Sequence, residues 1–464
     1  MHCPRIMLAA PSSGSGKTML TCGLLRLLCR KGKRPAAFKC GPDYIDPMFH
    51  RKVLGVDSGN LDTYFAGREG VKNSFLHYSQ SSDIGVIEGV MGYYDGIGGV
   101  TWQASAYDVA KAIESPVILV VDSKGMSLSL IPLIKGFIEY EKDSRIAGVI
   151  LNRMNPMVYQ RVAPLLEKQL GIMALGYVPV LKDVSIESRH LGLVLPDELS
   201  DIQERIDRLA QELEKTLDWE RIIALAEGAP DLEESSDLEN PSDLGETLAR
   251  EETSPAPIRV GIAMDGAFCF YYRDNLDLLR SLGVELVPFC PTSDKSLPEG
   301  IHGLLLGGGY PELYAEQLSS NTSMLRAIRE TLAAGMPTLA ECGGFLYLHE
   351  SLEDEEGRAW PMAGVIPAKG YRTNRLGRFG YIEVQALKDT NYCDKGQRIK
   401  AHEFHYWDST LCGQDFHAEK PSGGKGWDCI HGQGNLMAGF PHLYYPSCPG
   451  FAERFVRLCR RWQP

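Results

Sequence analysis

What this chain lacks narrows its class before any motif is read. No apolar run is long enough to span a bilayer, so membrane passage is not expected. The opening residues have neither the basic start nor the cleavage site of a signal peptide, because Lys17 and a glycine turn interrupt them. A cytoplasmic location is the expectation. The 12 cysteines are scattered singly, with no CxxC pair and no Cys/His quartet at zinc spacing, and most read as small core residues. Positive charge is also short. Lys and Arg number 48 against 60 Asp and Glu, a formal net charge of −12, so a nucleic-acid partner is not expected. No internal repeat is visible. With 464 residues, 44% hydrophobic and 23% charged, the chain has material for two or three soluble domains.

What is present begins with alternation. β-rich runs at Ile6–Ala9, Pro35–Lys39, Ile84–Glu88, Val117–Val121, Ala147–Leu151 and Ala174–Val178 are separated by helical patterns such as Ser127–Tyr140 and Tyr159–Leu170. That order predicts an α/β domain with a mainly parallel sheet covered by helices on both faces. Leu199 to Ala226 reads as amphipathic helix, with Ile202, Ile206, Leu209 and Leu213 on one face. The stretch Glu227–Pro257 changes character: its acidic residues are opposed only by Arg250, and it closes on Pro255-Ala256-Pro257. It reads as a flexible acidic linker. A second α/β pattern follows, with strands at Arg259–Ala263, Leu286–Pro288 and Gly303–Leu306 and a helix near Arg273–Ser281. The expected organisation is a domain over residues 1–226, a linker over 227–257 and a second domain over 258–464.

The first domain opens on Pro11-Ser12-Ser13-Gly14-Ser15-Gly16-Lys17-Thr18, between an apolar strand and a helical pattern. Strand, glycine turn and helix in that order make a phosphate cradle, in which backbone N–H groups and the helix N-terminus face the anion. Ser13, Gly14, Ser15 and Gly16 would line it, Lys17 would reach the outer phosphates, and Thr18 would offer a hydroxyl to Mg²⁺. Pro11 departs from the strict pattern, which asks for glycine there. An ordinary glycine-capped helix would explain Gly14 and Gly16 but not the Lys-Thr pair behind them. Two carboxylates then lie in Gly41-Pro42-Asp43-Tyr44-Ile45-Asp46-Pro47, just past the second strand. Asp in such loops commonly bonds backbone, but beside a phosphate site Asp43 is a candidate Mg²⁺ ligand. Glu88 closes an apolar strand, the position of the second nucleotide motif, and is the other candidate. Asp95 could touch substrate or simply form the turn with Gly96, and Asn152-Arg153 closes a strand where base or phosphate contacts are common.

In the second domain an apolar strand runs directly into Glu341-Cys342-Gly343-Gly344, followed by a helical pattern. This is the form of a nucleophile elbow, with backbone N–H groups behind the reactive atom to hold an oxyanion. The helix dipole is expected to lower the Cys342 thiol pKa. A second glycine turn, Gly307-Gly308-Gly309-Tyr310-Pro311-Glu312, also follows a strand, so Gly308, Gly309 and Gly343 are the expected oxyanion donors. His402, His405 and His442 compete as the base, and the residues alone select none of them.

Together these motifs resemble the cobyrinic acid a,c-diamide synthases, over nearly the whole chain. The loop Gly41 through Pro47 separates this branch from the related cobyric acid synthases. The resemblance implies an N-terminal P-loop domain like dethiobiotin synthetase and a C-terminal class I glutamine amidotransferase-like α/β domain. It places the catalytic base on His442, with Tyr444 where the family usually has a second histidine, and no acidic third member after His442. The implied activity is ATP- and glutamine-dependent amidation of corrin acetate groups, with ATP as a substrate and Mg²⁺ as cofactor. Tyr44, Asp46 and Asp95 are then candidates for holding the tetrapyrrole carboxylate. Nickel-sirohydrochlorin and hydrogenobyrinic acid are alternative substrates of the same chemistry. A P-loop switch ATPase is the rival from another class, and it would have no need of Cys342.

Overall fold

A computed structural model of the chain describes residues 1–181, 188–189, 192–193, 201–233, 257–373 and 376–463. It divides into two compact units, Met1–Leu238 and Glu239–Pro464. Most of the acidic stretch read as a linker lies outside the described residues.

The first unit is built on seven strands: β1 (Arg5–Ala9), β2 (Pro35–Cys40), β3 (Ser58–Leu61), β4 (Ile84–Glu88), β5 (Val117–Asp122), β6 (Ile146–Asn152) and β7 (Met173–Val178). Their order is β3-β2-β4-β1-β5-β6-β7, and every neighbouring pair is parallel. β1 and β4 are buried along their whole length, as strands covered on both faces must be, which is why they read as apolar runs apart from Arg5 at the start of β1 and Glu88 at the end of β4. β3 has no such signature, because Ser58, Gly59 and Asn60 supply three of its four residues. It forms because β2 offers a free edge, and no periodicity announces that.

The helix α1 (Lys17–Arg30) leaves the loop after β1 and buries Leu20, Leu24, Leu25, Leu27 and Leu28. Gly23 lets a second helix, Ile202–Thr216, lie directly on it: a Cβ there would stand 2.7 Å from Leu213 Cδ1. The expected helix over Leu199–Ala226 is in fact two, Ile202–Thr216 and Trp219–Glu227, while residues 199 and 200 lie outside the described residues. Leu217 turns to extended backbone, and Asp218 caps the second helix by accepting from the Arg221 backbone N–H at 3.2 Å. Packing of this unit continues beyond that helix. The Leu232 backbone N–H donates to the Met1 carbonyl at 3.0 Å, and the completely buried Arg5 donates to the Pro230 carbonyl at 2.7 Å.

The second unit has a six-stranded sheet in the spatial order Val284–Phe289, Ile258–Ala263, Gly303–Leu306, Thr338–Glu341, Leu436–Gly439, His431–Gln433. Its first five strands are parallel and the last is antiparallel. A five-stranded antiparallel sheet carries Phe379–Ala386, Arg398–Phe404 and, at its edge, His442–Leu443. Two clusters of buried side chains fill this unit: one holds Ile262, Leu305, Leu339 and Phe455, the other Leu306, Phe345, Leu346 and Phe440.

Candidate active sites

In the first unit β1 ends against the phosphate loop, and β4 lies directly beside it. Gly14 and Gly16 both hold left-handed backbone, with φ of 75° and 91°. Gly16 has a further reason to be glycine. A Cβ there would fall 2.3 Å from the Asn152 side-chain nitrogen, which donates to the Ser15 carbonyl at 2.8 Å. Asn152 thus ties the end of β6 to the loop, and Arg153 extends the tie by pairing with Asp122 and reaching the Gly14 carbonyl at 3.4 Å. Ser13 and Gly14 lie exposed on the rim, whereas Ser15 is buried and donates to the Ser12 carbonyl at 2.9 Å. The Lys17 ammonium donates to the carbonyls of Met91 at 2.6 Å and Ser12 at 3.3 Å. Burial, followed by the nearby Lys39, lowers its pKa to about 8.

Behind the loop is a buried cluster. The Thr18 hydroxyl is 2.6 Å from Glu88 Oε1 and 3.3 Å from Asp46 Oδ2. The Lys39 ammonium lies 2.7 Å from Glu88 Oε1 and 2.5 Å from Asp46 Oδ2. Lys39, Asp46 and Glu88 are all buried. Burial and the charge of Asp46 push the Glu88 carboxyl up to about 7. Burial pushes Asp46 the same way, but Lys39 outweighs it and holds that carboxyl below its ordinary value. Lys39 itself is driven well above the usual lysine value, because Asp46 and Glu88 overcome the cost of its burial.

The expected carboxylates are therefore redistributed. Asp43 uses Oδ1 to accept the backbone N–H groups of Ile45 at 2.9 Å and Asp46 at 3.1 Å, so it caps the short helix Ile45–Met48. That helix turns Asp46, expected at the tetrapyrrole, toward Thr18 instead. Tyr44 stands half-buried at the start of the same helix. Asp95 is exposed and accepts the Gly92 backbone N–H at 2.9 Å, the turn-forming option. Lys39 was not among the expected site residues. Its signal was a lysine inside the otherwise apolar strand Pro35–Cys40, where a charge is retained only with partners.

In the second unit Cys342 follows the strand Thr338–Glu341 and holds φ 49°, ψ −101°, the strained turn of an elbow. Its backbone N–H donates to the Gly439 carbonyl at 2.8 Å. Gly344 admits no side chain, since a Cβ would fall 2.0 Å from the Leu306 carbonyl oxygen. Its N–H donates to the Gly307 carbonyl at 2.9 Å, so the two glycine turns are joined through the backbone. A Cβ on Gly343 would lie 3.1 Å from the Gly309 nitrogen, and one on Gly308 would lie 2.4 Å from His442 Cε1. Gly308, Gly309, Gly343, Cys342 and His442 thus converge.

The expected lowering of the thiol is absent. Burial, then the negative charges of Glu312 and Glu403, push Cys342 well above the ordinary cysteine range, against the Gly343 backbone N–H. The helix behind it, Gly343–Tyr347, has only five residues, too short for a dipole to prevail. His442 is buried, and burial with His402 and His405 lowers its pKa to about 3, so the imidazole is neutral. Glu341, next to Cys342, accepts from the Leu443 backbone N–H at 3.4 Å and from the Tyr445 hydroxyl at 3.1 Å. It thereby links the cysteine strand to the residues around His442. The competing histidines have other places. His402 is the register partner of His442 on the neighbouring strand. His405 is held by Glu403 at 2.8 Å and the Trp407 carbonyl at 2.5 Å, and it stacks on Phe440 with ring centres 3.8 Å apart.

Comparison with known proteins agrees with this division. Residues 6–194 match the CobQ/CobB/MinD/ParA nucleotide binding domain, and residues 259–447 match the CobB/CobQ-like glutamine amidotransferase domain. Fold and site therefore define a glutamine amidotransferase joined to a nucleotide-binding domain. The chain is similar to the cobyrinate a,c-diamide synthase of Caldanaerobacter subterraneus subsp. tengcongensis, with 39% identity over 98% of both chains. It is 38% identical to that of Clostridium tetani, over 95% of this chain and 96% of the other, and 38% identical to that of Picrophilus torridus, over 98% of both. The chain belongs to the cobyrinate a,c-diamide synthase family. Among the described residues no helix is long and apolar enough to cross a membrane.

Proposed function

We propose that this chain amidates the a and c acetate carboxylates of cobyrinic acid, with ATP as the activating substrate and glutamine as the nitrogen donor. The observation that carries the reading is that one chain holds both a phosphate loop backed by Thr18, Lys39, Asp46 and Glu88 and a cysteine elbow with His442 against its glycine turn. A switch ATPase has no use for the second.

A carboxylate is a poor electrophile. In the first half-reaction a carboxylate oxygen of the substrate attacks the γ-phosphorus of ATP, ADP leaves, and an acyl phosphate forms. Lys17 and the loop amides bind the phosphate oxygens, and Lys39 sits where it can offset charge developing on them. The cluster also suits Mg²⁺. Among the described residues no group of three or more His, Cys, Asp or Glu could hold a metal alone. The Thr18 hydroxyl with the Asp46 and Glu88 carboxylates is, however, the all-oxygen partial set that this ion completes with phosphates and water. Bound there, it would neutralise charge on the phosphate oxygens. Asp43 contributes by shaping the turn that presents Asp46, and Tyr44, at the edge of the same turn, is the remaining candidate for contact with the tetrapyrrole.

In the second half-reaction the Cys342 sulfur attacks the glutamine side-chain carbonyl carbon. Backbone N–H groups of the two glycine turns stabilise the oxyanion, and His442 takes the thiol proton and returns it to the departing ammonia. Water cleaves the resulting glutamyl thioester to glutamate. Ammonia attacks the acyl phosphate carbon, phosphate leaves, and the amide remains. The test is a product assay with cobyrinic acid carrying ¹⁸O in its carboxylates, together with ATP, Mg²⁺ and glutamine. The a,c-diamide with ¹⁸O in the released phosphate is expected. Diamide with unlabelled phosphate would refute the acyl phosphate, and amidation only of nickel-sirohydrochlorin or hydrogenobyrinic acid would reassign the substrate.

A further inference from the structure

Among the buried atoms of the first unit that lack a hydrogen-bond partner, two face each other beside the phosphate loop. His50 Nε2 and Glu88 Oε2 are both completely buried, have no hydrogen-bond partner among the described residues, and stand 3.8 Å apart. A buried polar group without a partner is costly, so two that face each other call for an explanation.

His50 reaches this place through an irregular backbone. The turn Phe49–Val53 follows the short helix Ile45–Met48 as a single π-helical turn, a feature that inserts a residue and re-aims side chains. The other ring nitrogen, Nδ1, is fixed 2.9 Å from the hydroxyl of Ser58, itself buried at the start of β3. If Ser58 donates to Nδ1, the ring proton resides on Nε2 and points at the carboxylate. The opposite tautomer would set a lone pair against a carboxylate oxygen, which is electrostatically unfavourable. The remaining oxygen of Glu88, Oε1, already accepts from both Thr18 and Lys39. A core histidine satisfied by Ser58 alone would explain Nδ1 and leave both orphan atoms unexplained.

We propose that His50 is a positioning residue whose Nε2–H restrains Glu88 Oε2 and so keeps Oε1 turned toward Thr18, Lys39 and the nucleotide-borne metal. The inference rests on the reading of Glu88 as a metal-facing carboxylate. The separation is about 0.8 Å beyond a normal hydrogen bond, a close approach of two unpartnered atoms. Partners of this kind behind a ligand typically set metal affinity by about 10–100-fold.

The two ring nitrogens can be tested separately in the full-length protein. In His50→Gln the side-chain amide nitrogen takes the place of Nε2, whereas in His50→Asn it takes the place of Nδ1. Calorimetric binding of ATP is measured with Mg²⁺ and with EDTA, and thermal melting confirms folding. His50→Asn should weaken binding at least about tenfold with Mg²⁺ and leave the EDTA value within about twofold, while His50→Gln stays near the parent. Equal losses in both variants, or none in either, would overturn the proposal. Ser58→Ala, which keeps the ring and removes its anchor, should give an intermediate loss confined to Mg²⁺, and a loss equal with EDTA would count against it. Glu88→Gln separates the two readings: if Mg²⁺ dependence survives in that variant, the metal-facing reading of Glu88 fails whatever His50 does.

Discussion

Lys39 sits between two buried carboxylates, and its charge is the condition for keeping them together. Replacing it by Met would leave Asp46 and Glu88 as uncompensated neighbours. Removing one partner of a buried ion pair costs roughly 3–5 kcal/mol, so Lys39→Met should lower the chemical-denaturation midpoint clearly and abolish ATP-dependent amidation. An unchanged midpoint would mean that the carboxylates are protonated and the lysine is dispensable. Single residues also show where reading the sequence stopped short. Gly14 through Thr18, Glu88 and Cys342 stood out as local patterns at strand ends, whereas His402, His405 and His442 competed and only the family resemblance pointed to His442. Asp43 was named as a metal ligand and instead caps a turn, while Asp46, named for the tetrapyrrole, faces Thr18 and Lys39. Which of two carboxylates three residues apart caps a turn and which points inward depends on the one-turn helix Ile45–Met48, and no periodicity specifies so short an element.

At the scale of elements, the glycine turns explain why the second site needs so little side chain. Gly308 meets the flat edge of His442, and any Cβ would stand 2.4 Å from its ring. Gly308→Ala should therefore displace the imidazole and reduce glutamine hydrolysis by about a hundredfold or more, the scale of losing an oriented catalytic base. Amidation supported by free ammonia should stay close to normal. Equal loss with both nitrogen sources would show that the turn serves the fold rather than the base. The strand-turn-helix order around both loops was predicted from sequence, and the strand read at Ile6–Ala9 is found at Arg5–Ala9, since the hydrophobic runs and glycine breaks are contiguous. The two smaller sheets between His349 and Leu443 were not predicted. Some of their pairs join strands far apart in sequence, as Arg398–Phe404 with His442–Leu443, and short strands such as Trp427–Cys429 carry no alternation long enough to read.

For the whole molecule the buried titrating groups of the second unit predict a bell-shaped dependence of stability on pH. Burial raises Glu312 and Glu341 to about 8, above an unfolded value near 4.5, so the folded state holds more protons between those limits. Their contribution is present at low pH and is lost as pH rises toward 8. Burial lowers His349 and His402 to about 4 and His442 to about 3, below an unfolded value near 6.5. Here the unfolded state binds more protons, so stability is lost as pH falls from about 6.5 toward the folded values. The maximum should lie between about 4.5 and 6.5, where the two trends oppose each other. Melting temperature should fall between pH 6.5 and 8.5, and the double variant Glu312→Gln, Glu341→Gln should flatten that limb. A limb unchanged in the double variant would assign the decline to other groups.

The two units divide the labour, with one site energising the carboxylate and the other supplying nitrogen. The most direct test of this division compares Cys342→Ala with the parent protein, measuring a,c-diamide formation from cobyrinic acid, ATP and Mg²⁺ with either glutamine or ammonium as donor. Cys342→Ala should lose the glutamine-dependent rate and keep the ammonium-dependent rate. Loss of both together would contradict the division.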